Sequence, residues 1–413
     1  MSHEYTADHR LQLFTRRDDG TNTYVTRYEY DALKRVTSAV THDASESGPL
    51  RRGEGYDYDA TGNLTLRKWW DAATVNTPRT WIYHYDDAAR PHAVSSIAEG
   101  TTSSLFHYQP DGSMDDRSDG VQGALHIDSN RRHMPFQLIN AAGTVSFHYD
   151  AFDHRTRKST SASETLYLDD HYSRVKASLT SGSEEHLVVG SEGAAIAEIV
   201  RSPSGSDSVS YLHNDGLGST ILVTDAGGQA VQRRQYEAFG QHSSVTGNTS
   251  ANARPDFTGQ ELDAELGLVN LHARLYDPAT GRFLAIDPLI EPRGGSQRLN
   301  PYSYVNNDPV NHTDRSGMQC DDGACMPPPP LPPGPEQQGP IPPIGSWQDP
   351  NQRPGGGSPG CRRPAPLTPP KRAAKPQLHE VTAPAANIHA AGEGLSLGPT
   401  GAAVLSAHDL EVL

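Results

Sequence analysis

Polar and apolar residues alternate along this chain with a period of two. In "YDYDATGNLTL" (56–66) that period lays Tyr56 and Tyr58 on one face and Asp57 and Asp59 on the other, the pattern of a half-buried strand. "DATGN" then supplies a tight turn. Gly62 accepts a positive φ at little cost, and the Asp59 carboxylate bonds nearby backbone N–H groups. Leu64 and Leu66 return the apolar face, so the segment predicts one hairpin.

The theme recurs in "RYEYDALKRVTSAV" (27–40), "IYHYDDAARPHAVSSI" (82–97) and "SFHYDAFDHRTRKS" (146–159), with looser copies at 105–114, 124–139 and 165–179. The residues before the turns are Tyr30, Tyr58, Tyr85, Tyr108, Ile127, Tyr149 and Leu168, separated by 28, 27, 23, 19, 22 and 19 positions. That is about one hairpin per repeat. A lone hairpin cannot bury its own face, so neighbours are expected to pair edge to edge into a long, twisted sheet that curls. The predicted class is all-β.

Composition agrees and removes several functions. Only 35% of the residues are hydrophobic, against 38 Gly and 32 Pro, which argues against a compact helical enzyme core. Seventeen Tyr beside eight Phe suit half-exposed strands, where the ring packs and the hydroxyl stays wet. The net charge of -15 comes without a basic stripe, so no nucleic-acid partner is expected. Cys320, Cys325 and Cys361 are the only cysteines, and with His379 they lack the spacing of a metal set; neither metal nor cofactor is expected. No apolar run is long enough for a membrane span, and "MSHEYTADHR" lacks the character of a signal peptide. Export would then need a carrier or further upstream sequence. The absence of a nucleophile elbow, phosphate loop or zinc signature leaves no multiple-turnover active site.

After Gly317 the composition changes. "MPPPPLPPGPEQQGPIPPIGSWQDPNQRPGGGSPG" forms neither helix nor central strand, and predicts an extended or disordered spacer. Its proline run also suits an aromatic-lined groove. In residues 371–413, His379, His389 and His408 have neither ligand spacing nor a nucleophile in their company.

The hairpin units resemble the YD repeats of the RHS (rearrangement hotspot) proteins. Three further blocks, "YLHNDGLGSTILVTDAGGQAVQRRQYEAFG" (211–240), "FTGQELDAELGLVNLHARLYDPATGRFLAIDP" (257–288) and "NPYSYVNNDPVNHTDRSG" (300–317), resemble the RHS repeat-associated core domain. The resemblance implies a β-sheet of YD repeats over residues 1–210, a core domain over 211–317 that plugs one end of a spiral shell, and a variable tail over 318–413. It also implies a secreted or surface-delivered protein that carries its own C-terminal segment as a toxic effector, in the company of a secretion carrier and an immunity protein. With seven or eight repeats the wall would be partial, as in a piece of a larger protein or a truncated remnant. A non-enzymatic adhesion protein, contacting cell-surface carbohydrate through its Tyr-rich sheet, is the rival expectation.

The resemblance extends to an apparatus for self-cleavage. Arg274, Asp287 in "AIDP" and Asp314 in "HTDRSG" match an arginine, a first Asp-Pro and a second Asp, with the scissile bond after Met318. Two carboxylates that share a proton do not both ionise, so one stays acidic while the other takes a proton from water. Arg315 and Met318 stand where the family carries Pro and Leu. The first change frees a backbone N–H and adds a cation beside Asp314. From residue types alone, both aspartates also read as turn formers.

Overall fold

The computed structural model describes residues 2–318 apart from positions 8, 19–21, 177–181, 192–193, 249–252 and 290–295. The Pro-rich tail, with the three cysteines, lies outside the described residues.

Twenty-two strands, from Ser2–Tyr5 to His242–Gly247, form one antiparallel sheet in which each strand pairs with the next along the chain. Tandem hairpins dictate that order, because a short turn delivers each return strand beside the one it left. Among the described residues no ladder joins the first strand to the last, so the sheet is an open ribbon and not a barrel. It runs straight through position 210. Asp207–Asn214 pairs with Ala194–Arg201 on one side and Thr220–Thr224 on the other. The stretch 211–247, with the strands Ala230–Tyr236 and His242–Gly247, therefore continues the wall.

The repeat turn works as its chemistry suggests. Asp59 Oδ1 accepts the backbone N–H groups of Thr61 and Asn63, both at 2.9 Å. Asp150 does the same for Phe152 and His154, at 2.8 and 3.0 Å. The tyrosine before the aspartate behaves differently from expectation: its hydroxyl is bonded to backbone, not to water. Tyr30 donates to the Leu11 carbonyl at 2.7 Å, Tyr58 to Val36 at 2.7 Å, Tyr85 to Leu64 at 2.9 Å and Tyr149 to Pro135 at 2.7 Å. Each acceptor begins the return strand of the preceding hairpin. A bulge re-aims the ring, since the register shifts between Glu29 and Tyr30, Asp57 and Tyr58, and His148 and Tyr149. These four repeats thus each tie themselves to the hairpin before.

The described residues from 253 to 318, called the plug below, hold a second, four-stranded sheet of Glu261–Asp263, Leu268–Asn270, Leu275–Asp277 and Arg282–Phe283. Leu266, Leu268, Leu275, Leu284 and Val310 of the plug join Val36, Tyr56, Leu64, Ile97, Leu125 and Leu138 of the wall in a single core. Each such side chain contributes about 2 kcal/mol when fully buried. A second cluster, including Phe257, Leu271, Tyr276, Phe283 and Tyr304, belongs to the plug alone apart from Tyr236 of the wall. Buried ion pairs fix the plug's position: Arg10 with Asp308 at 3.1 Å, Arg117 with Asp277 at 2.8 Å, and Arg155 with Asp263 at 2.9 Å. In each pair the wall supplies the arginine and the plug the aspartate. Misplacing the plug would strand unpaired buried charges, which specifies its seat.

Candidate functional site

The plug's hairpin brings Arg274, Asp287 and Asp314 to one point. Arg274 precedes the strand Leu275–Asp277, the chain reverses at Gly281 with φ 70°, and Asp287 follows the return strand Arg282–Phe283. Asp314 arrives on the exit segment after the turn-rich stretch 300–311. All three side chains are buried, at 5% exposure or less.

One guanidinium nitrogen serves both acids. Arg274 Nη2 donates to Asp287 Oδ2 at 2.8 Å and to Asp314 Oδ2 at 3.3 Å. The other donors of the fork hold backbone: Nη1 reaches the Pro301 carbonyl at 3.0 Å, and Nε donates to the Gly317 carbonyl. The guanidinium carbon also lies 3.5 Å from the centroid of the Phe283 ring, so the cation is fixed over an aromatic face. Arg274 therefore ties the hairpin to the last turn of the described chain.

Asp314 organises that turn with its second oxygen. Oδ1 accepts the N–H groups of Ser316 at 3.2 Å and Met318 at 3.1 Å. The Gly317–Met318 peptide is consequently gripped at both ends, its carbonyl by Arg274 and its N–H by Asp314. Gly317 makes the grip possible. Its φ is 68°, and a Cβ there would lie 2.2 Å from the Leu271 carbonyl oxygen and 2.9 Å from the Arg274 nitrogen. The Ser316 hydroxyl lies 3.4 Å from the Met318 carbonyl oxygen and can donate to it. Asp287 is set by its own turn: Oδ1 accepts the Leu289 N–H at 2.8 Å, and its backbone N–H donates to Pro301 at 3.1 Å.

Burial raises the Asp314 carboxyl above the ordinary carboxylate range; Arg274 opposes that shift and the Asp287 charge adds to it. Burial also presses Arg274 downward while the two carboxylates hold it up. Arginine keeps its proton in proteins, so the cluster contains one fixed cation and two acids that compete for it. A raised acid beside a carboxylate suits proton donation by one and acceptance by the other. Arg315 is exposed, and the cation against Asp314 is Arg274.

The parts that sequence reasoning did not reach are backbone carbonyls and supports: Pro301, Gly317 as acceptor, Phe283 as platform and Ser316. "NPYSYV" carried a signal of rigid turns, but nothing that assigned its Pro301 carbonyl to Arg274. The scissile bond expected after Met318 ends at residue 319, outside the described residues. Among the described residues no cluster of His, Cys, Asp or Glu is arranged to hold a metal.

Comparison with known proteins covers the same region. The sequence model of the Teneurin YD-shell family matches residues 1–310. Toxin subunit YenC2 of Yersinia entomophaga is 24% identical over 334 residues, 70% of this chain and 34% of its own length. Double-stranded DNA deaminase toxin A of Burkholderia cenocepacia (strain H111) is 26% identical over 330 residues, 71% of this chain and 21% of that one. The chain thus spans about a third of the first relative's length and about a fifth of the second's. The solved complex TcdB2-TccC3-TEV matches at TM-score 0.54 and 19% identity, over 76% of this chain and 18% of that one, and shares its fold.

Proposed function

Because the chain belongs to the Teneurin YD-shell family, we propose that it is a shell protein that encloses or presents its own C-terminal segment as an effector, and that it cuts itself once, after Met318. The observation that carries this reading is the shared Arg274 nitrogen, which holds both buried acids beside the exit turn. In the step proposed, Asp287 accepts a proton from a water molecule whose oxygen attacks the Met318 carbonyl carbon. Asp314, whose carboxyl burial raises above the ordinary range, gives a proton to the departing amine of residue 319 as the C–N bond breaks. Ser316 and the grip on the Gly317–Met318 peptide position that carbonyl. The reaction is single-turnover, because the substrate is the chain.

Relatives named as toxin subunits and as a deaminase toxin support an effector role for the released segment, in competition between bacteria or against a host. Such a protein acts outside the producing cell and pairs with an export carrier and an immunity protein. The test is purification of the full chain. Two fragments should elute together under native conditions and separate in denaturant, while Asp287→Asn and Asp314→Asn chains remain whole. A native chain that stays whole in denaturant sinks the proposal.

A further inference from the structure

A cleft of about 330 Å³ lies on the wall, between the strands Leu64–Asp71 and Arg79–His84 on one side and Gln241–Ser243 on the other, with Ala279 of the plug beside it. Two tryptophans line it. Pairing sets Arg67 opposite Trp81 and Trp69 opposite Arg79, so all four share one face of the sheet. Trp81 is held between two guanidinium groups, 5.3 Å from Arg67 and 4.8 Å from Arg79. Trp69 is half-buried and, among the described residues, its side chain makes no hydrogen bond or ring contact.

Polar side chains able to donate and to accept line the cleft as well, among them Gln122, Gln241, His242 and Ser243. Glu237, the one carboxylate lining the cleft, is already held by Arg67. The rings of Trp69 and Trp81 give the cleft an aromatic lining, which suits a ligand of apolar rings. A proline-rich strand has that chemistry, since each proline offers a ring and a carbonyl but no N–H. Aromatic-lined grooves bind such strands without a large ordering cost.

We propose that this cleft binds the chain's own segment Pro327–Pro335, "PPPPLPPGP". Reach permits it. Gly317 is bonded to Arg274, and the five residues from there to Ala279 span at most about 18 Å, whereas the nine residues 319–327 extend to about 30 Å. Docking does not rest on self-cleavage: in an intact chain it holds the tail against the wall, and in a cut one it retains the tail.

Acrylamide quenching of tryptophan fluorescence tests this on the full chain carrying Trp347→Phe, which removes the tail's own tryptophan. Replacing Pro327, Pro328, Pro329 and Pro330 by serine should shift emission to the red and raise the quenching slope. A synthetic peptide of residues 326–335 should reverse both saturably, and Trp69→Phe should reduce the difference to what Trp81 alone reports. If Trp69→Phe does not fold, Ser243→Phe, which narrows the cleft, should weaken the peptide's effect. Equal emission and quenching with and without the prolines would overturn the proposal. So would protection that depends on chain concentration, which would assign the cleft to a second copy, or protection restored only by an oligosaccharide, which would make it a sugar site.

Discussion

Replacing Gly317 by alanine separates the exit turn's geometry from the general cost of a left-handed residue. Gly317 has φ 68°, where an L side chain costs about 1–2 kcal/mol. The added Cβ would also stand 2.2 Å from the Leu271 carbonyl oxygen and 2.9 Å from the Arg274 nitrogen, both backbone atoms that cannot rotate away. The turn must shift, and with it the Gly317 carbonyl that Arg274 holds. Gly205 is the control, because its φ is 82° and a Cβ there meets nothing within 4 Å. Gly205→Ala should lose only the conformational cost. If displacing the turn loses even 1.4 kcal/mol of transition-state stabilisation, Gly317→Ala should cut at least about tenfold more slowly. Urea unfolding and a time course of fragment appearance measure the two effects together. Equal stability loss in the two variants and an unchanged cleavage rate would refute the reasoning.

Three further outcomes follow from the packing and charges. Tyr58→Phe removes the hydroxyl bonded to the Val36 carbonyl and should lower stability by about 1–2 kcal/mol in urea unfolding; no loss would mean the tie between repeats is idle. Lys158→Met strips one cation from Asp263 and Glu265, both 3.0 Å away, and should cost about 1.5–3 kcal/mol in urea unfolding, because Arg155 still holds the buried Asp263; no loss would mean Lys158 is idle. Asp314 has its folded value raised by burial, so its favourable contribution is complete below the ordinary carboxylate value of about 3.9 and is lost as pH rises through the folded value. Asp314→Asn should therefore flatten the fall in stability above that pH. Parallel curves for the two chains would contradict the assignment.

The wall was legible because its signals are local. Tyr-Asp-turn hairpins state their own period, and Asp59 bonds the two N–H groups that its position suggested. What sequence could not state was the direction of the repeat tyrosine. Its ring follows a bulge, and its hydroxyl finds a carbonyl in the preceding hairpin, some twenty residues back. The boundary at 210 rests on the family resemblance alone, and the strands on both sides of it keep the same pairing. At the site, residue types alone left Asp287 and Asp314 as turn formers, and each is one. Only folding brings them to the same Arg274 nitrogen, since 27 positions separate them along the chain. The Trp69 cleft was invisible for a similar reason: its hydroxyl comes from Ser243, on a strand far along the ribbon.

Intact-mass spectrometry of the purified full chain tests self-cleavage most directly. Two species are expected, residues 1–318 and 319–413, and a single full-length species for both Asp287→Asn and Asp314→Asn. One full-length mass for the native chain would contradict it, as would a C-terminal fragment that begins at Met318, the peptide that Arg274 and Asp314 grip.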